Sequence, residues 1–277
     1  MSKTILITGC SSGIGRQLAV RLKERGHRVY ASARSLDKIV TLGELGIVPL
    51  TLDVTSAASI EQALQTVAAN GDRIEWLINN AGYGAMGPLA EMPQAEIERQ
   101  FATNLYGPLA LVRALVPSMK QNGGGKIINI GSVSGILVTP FSGIYCATKA
   151  ALHAASDALR MELAPFGIEV VVIQPGAIES DFGSNAEASL ARTFGSQSLY
   201  SEVKDGVLKR ARASQHNPTP TGEFVEELIG VIEKKHSPAV ARIGNGSRAM
   251  PLMANWVPIP LRDFVLGRSF HLNRLKS

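Results

Sequence analysis

Short, nearly continuous apolar runs recur along the chain at residues 3–9, 27–33, 47–54, 74–82, 125–132, 169–176 and 238–244. They are rich in Ile, Val and Leu and do not alternate apolar with polar residues. A strand with one face in water alternates, whereas a strand covered on both faces does not. Between the runs lie stretches with helical spacing, among them 14–26, 59–70, 93–120, a stretch from Tyr145 to about 166, and 221–235. Gly26 and Asn70-Gly71 stand where two of these helices should stop. Strands buried on both faces and separated by helices predict an α/β fold. The expected form is a single-domain, Rossmann-like, doubly wound parallel sheet of about seven strands.

The length of 277 residues and an apolar fraction of 45% supply the core that one such domain needs. No compositional linker divides the first 244 residues, so 1–245 is expected to form one dinucleotide-binding catalytic domain, on the motifs below. Residues 246–277 differ: they hold Pro251, Pro258, Pro260, Trp256 and five basic residues (Arg248, Arg262, Arg268, Arg274, Lys276) against one acid, Asp263. They are expected to be a C-terminal extension. The net charge of +5 is mild, and no basic run with interleaved aromatics occurs, so nucleic acid is not an expected partner. Two cysteines, Cys10 and Cys146, make no disulfide framework and suit a reducing, cytoplasmic setting. The first apolar run is too short for a signal segment, and no run reaches about 18 apolar residues.

The loop after the first predicted strand reads "TGCSSGIG" at 8–15, with Gly9, Gly13 and Gly15 spaced Gly-x-x-x-Gly-x-Gly. Glycines let the backbone turn tightly and approach a pyrophosphate at the positive end of the next helix. A plain βα turn is the alternative; the first strand–turn–helix position favours a dinucleotide. Strand two ends in "VYASARS", with no acid before Asp37 and with Arg34 instead. An arginine suits a 2′-phosphate, so NADP(H) is expected over NAD(H), with Ser11 adding a hydroxyl. As alternatives, Arg34 is a solvated loop residue; Arg16 is expected to face solvent. Ser132 ends strand five, where ligands of open α/β sheets bind. Tyr145 and Lys149 follow, four apart and so on one helix face. An unperturbed phenol has a pKa of about 10, and a nearby ammonium favours phenolate. Lowering it by about three units takes roughly 4 kcal/mol. The bland alternatives are loop serines and a buried ring beside a snorkelling amine.

In order, "TGCSSGIG", "NNAG" at 79–82, Asn104, Ser132, the Tyr145–Lys149 pair and Pro175-Gly176 resemble the short-chain dehydrogenase/reductase family over residues 3 to about 244. With "ASAR" after strand two, the chain is similar to the 17β-hydroxysteroid and retinol dehydrogenase branch and its bacterial relatives. The resemblance implies cofactor contacts from Gly9, Ser11, Ser12, Gly13, Ile14, Gly15 and Arg34. It sets Asp53 at the adenine amino group with Val54 beside it, although Asp53 could instead cap the helix near Ser56. It runs Asn80, Ala81 and Gly82 along the adenine ribose, with Asn80 bracing the sheet. Pro175, Gly176, Ile178 and Ser180 would lie by the nicotinamide, Ser180 standing where the family usually has threonine. Tyr145 would be the general acid/base and Ser132 would hold the substrate oxygen. Lys149 would lower the Tyr145 pKa and bind the nicotinamide ribose, and Asn104 would support a water-linked proton relay by bending its helix. A homodimer or homotetramer is implied too.

Ile136, Leu137, Val138 and Phe141 predict an apolar substrate wall, and the polar stretch 183–198 looks like a mobile loop. Arg192 is the one candidate there for an anionic handle. The expected activity is NADP(H)-dependent interconversion of a lipophilic ketone or aldehyde and its alcohol. The alternatives are a 3-oxoacyl thioester reductase and a non-catalytic NADP(H)-binding sensor or scaffold. The extension would cover the cleft, touch another subunit, or make a peripheral membrane contact.

Overall fold

The computed structural model describes residues 2–275. Seven parallel strands form one sheet: β1 (Thr4–Ile7), β2 (Arg28–Ala33), β3 (Val48–Thr51), β4 (Trp76–Asn79), β5 (Gly125–Ile130), β6 (Ile168–Pro175) and β7 (Val240–Ile243). Their order is β3-β2-β1-β4-β5-β6-β7. The order reverses between β1 and β4, so their carboxyl ends diverge into the crevice where doubly wound folds bind ligands.

Helices cover both faces, as the unalternating strands require. On one side α1 (Gly13–Glu24) packs Leu18 and Leu22 with Ile5 and Ile7 of β1. On the other, α2 (Ala57–Ala69) contributes Ile60, Ala63 and Val67 to the layer that holds Leu6 and Leu77. Each of these Leu, Ile and Val side chains, removed from water, is worth about 1.5–3 kcal/mol. The helical stretch expected at 93–120 is interrupted. It is α3 (Gln94–Phe101), a π-helical turn over Ala102–Tyr106, and α4 (Gly107–Gln121). Leu111 and Leu115 of α4 join the second layer, and α5 (Gly143–Leu163) runs from the Tyr145 region.

After β6 the chain builds a wall above the carboxyl ends from α6 (Phe182–Thr193) and α7 (Lys204–Ala211). The stretch expected as a mobile polar loop is therefore largely helix. Its small residues Gly183, Ala186 and Ser189 are buried, so close packing rather than apolar bulk orders it. Next, α8 (Thr221–Ile232) packs Phe224, Leu228 and Ile232 into the α1 layer.

The extension forms α9 (Ala249–Trp256) and α10 (Ile259–Ser269), separated at Val257 and Pro258. Proline at the start of α10 costs no hydrogen bond there. Phe270 is buried among the residues of α6 and α7, Lys209 Nζ donates to Ser269 O at 2.8 Å, and Arg274 pairs with Asp205 at 2.7 Å. Lys276 lies outside the described residues.

Candidate active site

The glycine loop is interlocked with the end of β4. Asn80 Nδ2 donates to Thr8 O (2.8 Å) and Gly9 O (3.1 Å), while Thr8 Oγ1 accepts from the amides of Asn80 and Ala81, each at 3.0 Å. Gly9 has φ of +75°, and a Cβ on Gly15 would strike the Gly9 carbonyl and the Asn80 amide. Both positions therefore exclude a side chain, one by conformation and one by space. Asn80 thus ties the end of β4 to the glycine loop. Cys10 is buried beneath the turn, and burial pushes its thiol up to about 12, which leaves it unreactive.

A cleft of about 1100 Å³ runs along the carboxyl ends of the strands. Every cofactor residue expected from the sequence lines it, from Gly9 through Arg34 and Asp53 to Ser180. The amino end of α1 opens into the cleft with no side-chain cap at Ser12 and no acid in its first turn. Free amides, a positive helix end and a side-chain-free cradle fit a dinucleotide pyrophosphate. Arg34 is exposed at the mouth and has no ion pair among the described residues. Asp53 does not cap α2. Its carboxylate accepts from Thr55 N (2.9 Å) and Thr55 Oγ1 (2.7 Å), while Ser56 caps the helix by accepting from Ser59 N at 3.2 Å. Arg16 does not point freely into solvent, because it donates to Lys38 O and Thr41 Oγ1 at 3.1 and 2.9 Å. Ser180 Oγ is 3.4 Å from Ile178 O and accepts from Phe182 N at 3.4 Å.

Ser132, Tyr145 and Lys149 share one wall of this cleft, and all three are buried. Ser132 is held by its neighbours: its Oγ accepts from Ser134 N at 3.1 Å, and its amide donates to His153 Nε2 at 3.4 Å. The Tyr145 ring lies 5.3 Å from that of Phe182. Lys149 Nζ donates to Ile130 O at 2.7 Å and sits 5.9 Å from the Tyr145 ring centre. Asn104 does not line the cleft. From the π-helical turn its Nδ2 donates to Tyr83 O (2.9 Å) and Thr148 Oγ1 (3.1 Å), and its Oδ1 accepts from Tyr83 N at 3.2 Å. It thereby ties the segment after β4 to the helix that carries Tyr145 and Lys149.

The charges correct one expectation. In the protein alone the phenol of Tyr145 is not lowered; burial pushes it up to about 12. The Ser132 hydroxyl and the Arg210 guanidinium pull it down by less. Burial likewise brings Lys149 down from 10.5 to about 8. Desolvation penalises both charged forms, so the helical spacing of the pair does not by itself make a phenolate. His153, facing Ser132, is pushed down to about 4 by burial and by Lys149 and is neutral near pH 7.

The substrate end of the cleft also departs from expectation. Of the four apolar residues, Leu137 lines the cleft, Ile136 is half-buried outside its lining, Phe141 is buried edge-on to Tyr200 at 5.7 Å, and Val138 is 59% exposed. Phe182, Met250 and Phe270 complete the apolar wall. Arg192 is not a free handle, because its Nε donates to Glu96 Oε1 at 2.8 Å. Sequence reasoning missed His153, Thr148, Phe182 and Arg210. His153 follows Lys149 by four residues, a spacing that placed it on the same helix face. Nothing in the local sequence distinguishes Arg210 from its neighbours Lys209 and Arg212.

The sequence profile of the family described as short chain dehydrogenase matches residues 3–191. An uncharacterized oxidoreductase of Escherichia coli is 42% identical over 186 residues, 67% of this chain and 69% of that one. A 3-ketodihydrosphingosine reductase of Bacteroides thetaiotaomicron is 31% identical over 95% of this chain and 96% of its own. Retinol dehydrogenase 8 of Bos taurus is 34% identical over 91% and 84%. Among solved structures, a short-chain dehydrogenase from Streptomyces avermitilis superposes with a TM-score of 0.79 at 26% identity, covering 99% of this chain and 98% of that one. A serine dehydrogenase complexed with NADP+ superposes at 0.76 and 26% identity, covering 88% and 96%.

Proposed function

The chain belongs to the short-chain dehydrogenase/reductase family, and from that premise we propose an NADP(H)-dependent enzyme that interconverts a lipophilic ketone or aldehyde and its alcohol. The observation that carries this reading is the convergence of Ser132, Tyr145 and Lys149 on one apolar-walled cleft that continues into the glycine cradle. Residues 1–245 would hold cofactor and chemistry, and 246–277 would close the substrate end through Met250 and Phe270.

In reduction, the bound cofactor supplies the hydride. Ser132, its backbone fixed by His153, donates its hydroxyl to the carbonyl oxygen. Tyr145 passes its phenolic proton to the same oxygen. A phenol kept protonated by burial is the correct form for that step, and oxidation needs the reverse. Lys149, anchored on Ile130 O, holds a positive charge beside the ring and would hold the nicotinamide ribose when the cofactor is bound. Asn104 acts from behind by fixing Tyr83 and Thr148, which keeps the floor of the site in register. Arg34 receives the 2′-phosphate.

A panel of lipophilic ketones, aldehydes and alcohols with NADPH and NADH tests the reading. We expect turnover of apolar carbonyls with NADPH preferred. Arg34→Leu should weaken NADPH roughly tenfold, about 1.4 kcal/mol, with NADH changed less than about twofold. Equal loss for both cofactors would remove Arg34 from phosphate recognition. Failure of the whole panel would favour a sensor or scaffold, and turnover confined to acyl thioesters the thioester reductase.

A second surface suits a lipophilic substrate. Leu252 and Trp256, four apart on α9, are 58% and 80% exposed. Leu261, Phe264 and Val265 face outward from α10, with the Arg268 guanidinium 5.5 Å from the Phe264 ring centre. Exposed apolar residues beside arginines and an indole fit the headgroup region of an anionic membrane. Because Phe270 is buried, point changes test this better than truncation. Binding to phosphatidylserine vesicles in flotation should fall at least about fivefold in Trp256→Ser/Phe264→Ser. A soluble wild-type chain would sink the idea. A light-scattering mass that drops in the double variant would instead assign the face to a subunit contact within the implied homodimer or homotetramer.

A further inference from the structure

The cleft contains a buried cation that the reaction just described does not use. Arg210, on α7, is 7% exposed and lines the cleft with Thr139, Tyr145 and Phe270. Its Nε donates to Thr139 Oγ1 at 2.6 Å, and its guanidinium faces Cys146 and Tyr145. None of these partners is a carboxylate. Three other arginines on or next to α6 and α7 are paired: Arg192 with Glu96 at 2.8 Å, Arg212 with Glu187 at 2.5 Å, and Arg274 with Asp205 at 2.7 Å. Among the described residues Arg210 has no carboxylate within ion-pairing distance.

A guanidinium keeps its charge under any ordinary condition, so burial cannot be relieved by losing the proton. A buried charge without a counter-ion is costly, and an anion arriving beside it offsets that cost. Arg210 is in reach of the cleft, and its charge acts on the Tyr145 phenol. An anion on Arg210 would therefore lie close to the reacting carbon. The planar fork of a guanidinium matches a carboxylate in a two-point contact. Leu137, Phe182, Met250 and Phe270 supply the apolar part of this end, among polar residues such as Thr139, Ser184 and Asn185.

We propose that Arg210 anchors a substrate carboxylate, which makes the natural substrate a lipophilic oxo acid or the corresponding hydroxy acid. This rests on the carbonyl–alcohol reading of the Tyr145 site and narrows it. The apolar wall takes the chain of such a molecule, Arg210 its carboxylate, and Ser132 with Tyr145 its carbonyl oxygen. A plain ketone leaves Arg210 unpaired and binds more weakly.

Direct binding tests the anchor without turnover. Decanoate and decanamide share chain length and differ in charge. Calorimetric titration of the full chain, with NADP+ present, should show decanoate binding at least about tenfold tighter. Arg210→Met should bring the two within about threefold, and Arg210→Lys, which keeps a charge, should restore part of the preference; melting curves establish that each variant folds. Equal binding of the two probes by the wild-type chain overturns the proposal whatever the variants do. So does a preference that survives Arg210→Met. Turnover separates this from the broader reading: with NADPH, an α-oxo acid should be reduced at least about tenfold more efficiently than the methyl ketone of equal chain length. Reduction of the ketone with no preference for decanoate removes the anchor and leaves the carbonyl reading. A preference for decanoate with neither compound reduced supports the anchor and counts against the carbonyl reading.

Discussion

Tyr145→Phe is expected to lower kcat by about 10³-fold or more while NADPH affinity stays within about threefold. The change removes one oxygen and keeps the ring, whose packing 5.3 Å from Phe182 holds the wall in place. The rate loss corresponds to about 4 kcal/mol of transition-state stabilisation. It arises because the other groups on this wall are held to different partners, Lys149 Nζ on Ile130 O at 2.7 Å among them. His153, neutral and pushed down to about 4, faces the Ser132 amide. Single-turnover rates with NADPH and a fluorescence titration of NADPH binding give the two quantities separately. A residual kcat within about tenfold of wild type would exclude Tyr145 as the proton donor.

Lys149→Met should separate activity from stability. Activity is expected to fall at least about 10²-fold, because the charge beside Tyr145 and the contact to the nicotinamide ribose both go. Stability should move the other way. Burial holds the Lys149 ammonium at about 8 in the folded chain, against 10.5 for the ordinary group. The unfolded chain therefore binds this proton more tightly. Below pH 8 the charged form costs the fold up to roughly 3 kcal/mol, and stability from this group rises as pH climbs from about 8 to about 10.5. Losing the hydrogen bond to Ile130 O returns about 1 kcal/mol of that. At pH 7 the melting temperature of Lys149→Met should equal or exceed that of wild type by a few degrees, and the gap should close toward pH 10. A variant that melts well below wild type would show that Lys149 supports the fold and is not held there against it. In wild type, turnover that depends on the ammonium should decline above about pH 8.

The sheet was legible in the sequence because burial on both faces leaves a direct mark, a run without alternation. The glycine loop was legible because only glycine suits the left-handed turn at Gly9 and the close approach at Gly15. The extension was read through its composition, and its prolines divide it into α9 and α10 as their missing amides require. Other features were not legible. The stretch 183–193 has the polar look of a loop but becomes α6, since its small residues pack against α7 and the wall of the cleft. Val138 belongs to an apolar string yet points to solvent.

By itself the sequence determined the parallel doubly wound sheet, the glycine turn after β1 and the placing of Tyr145 and Lys149 on one helix face. These follow from local rules: strand burial, glycine conformation and helical period. Only the tertiary structure decided what those groups are worth. It set the Tyr145 phenol at about 12, put Asn104 behind the cleft, paired Arg192 with Glu96, and left Arg210 buried on the Thr139 hydroxyl without a carboxylate. Charge and proton affinity depend on everything packed within a few ångströms. Those neighbours come from Gln94–Phe101, Ala102–Tyr106, Phe182–Thr193 and Lys204–Ala211, segments that no local pattern links to one another.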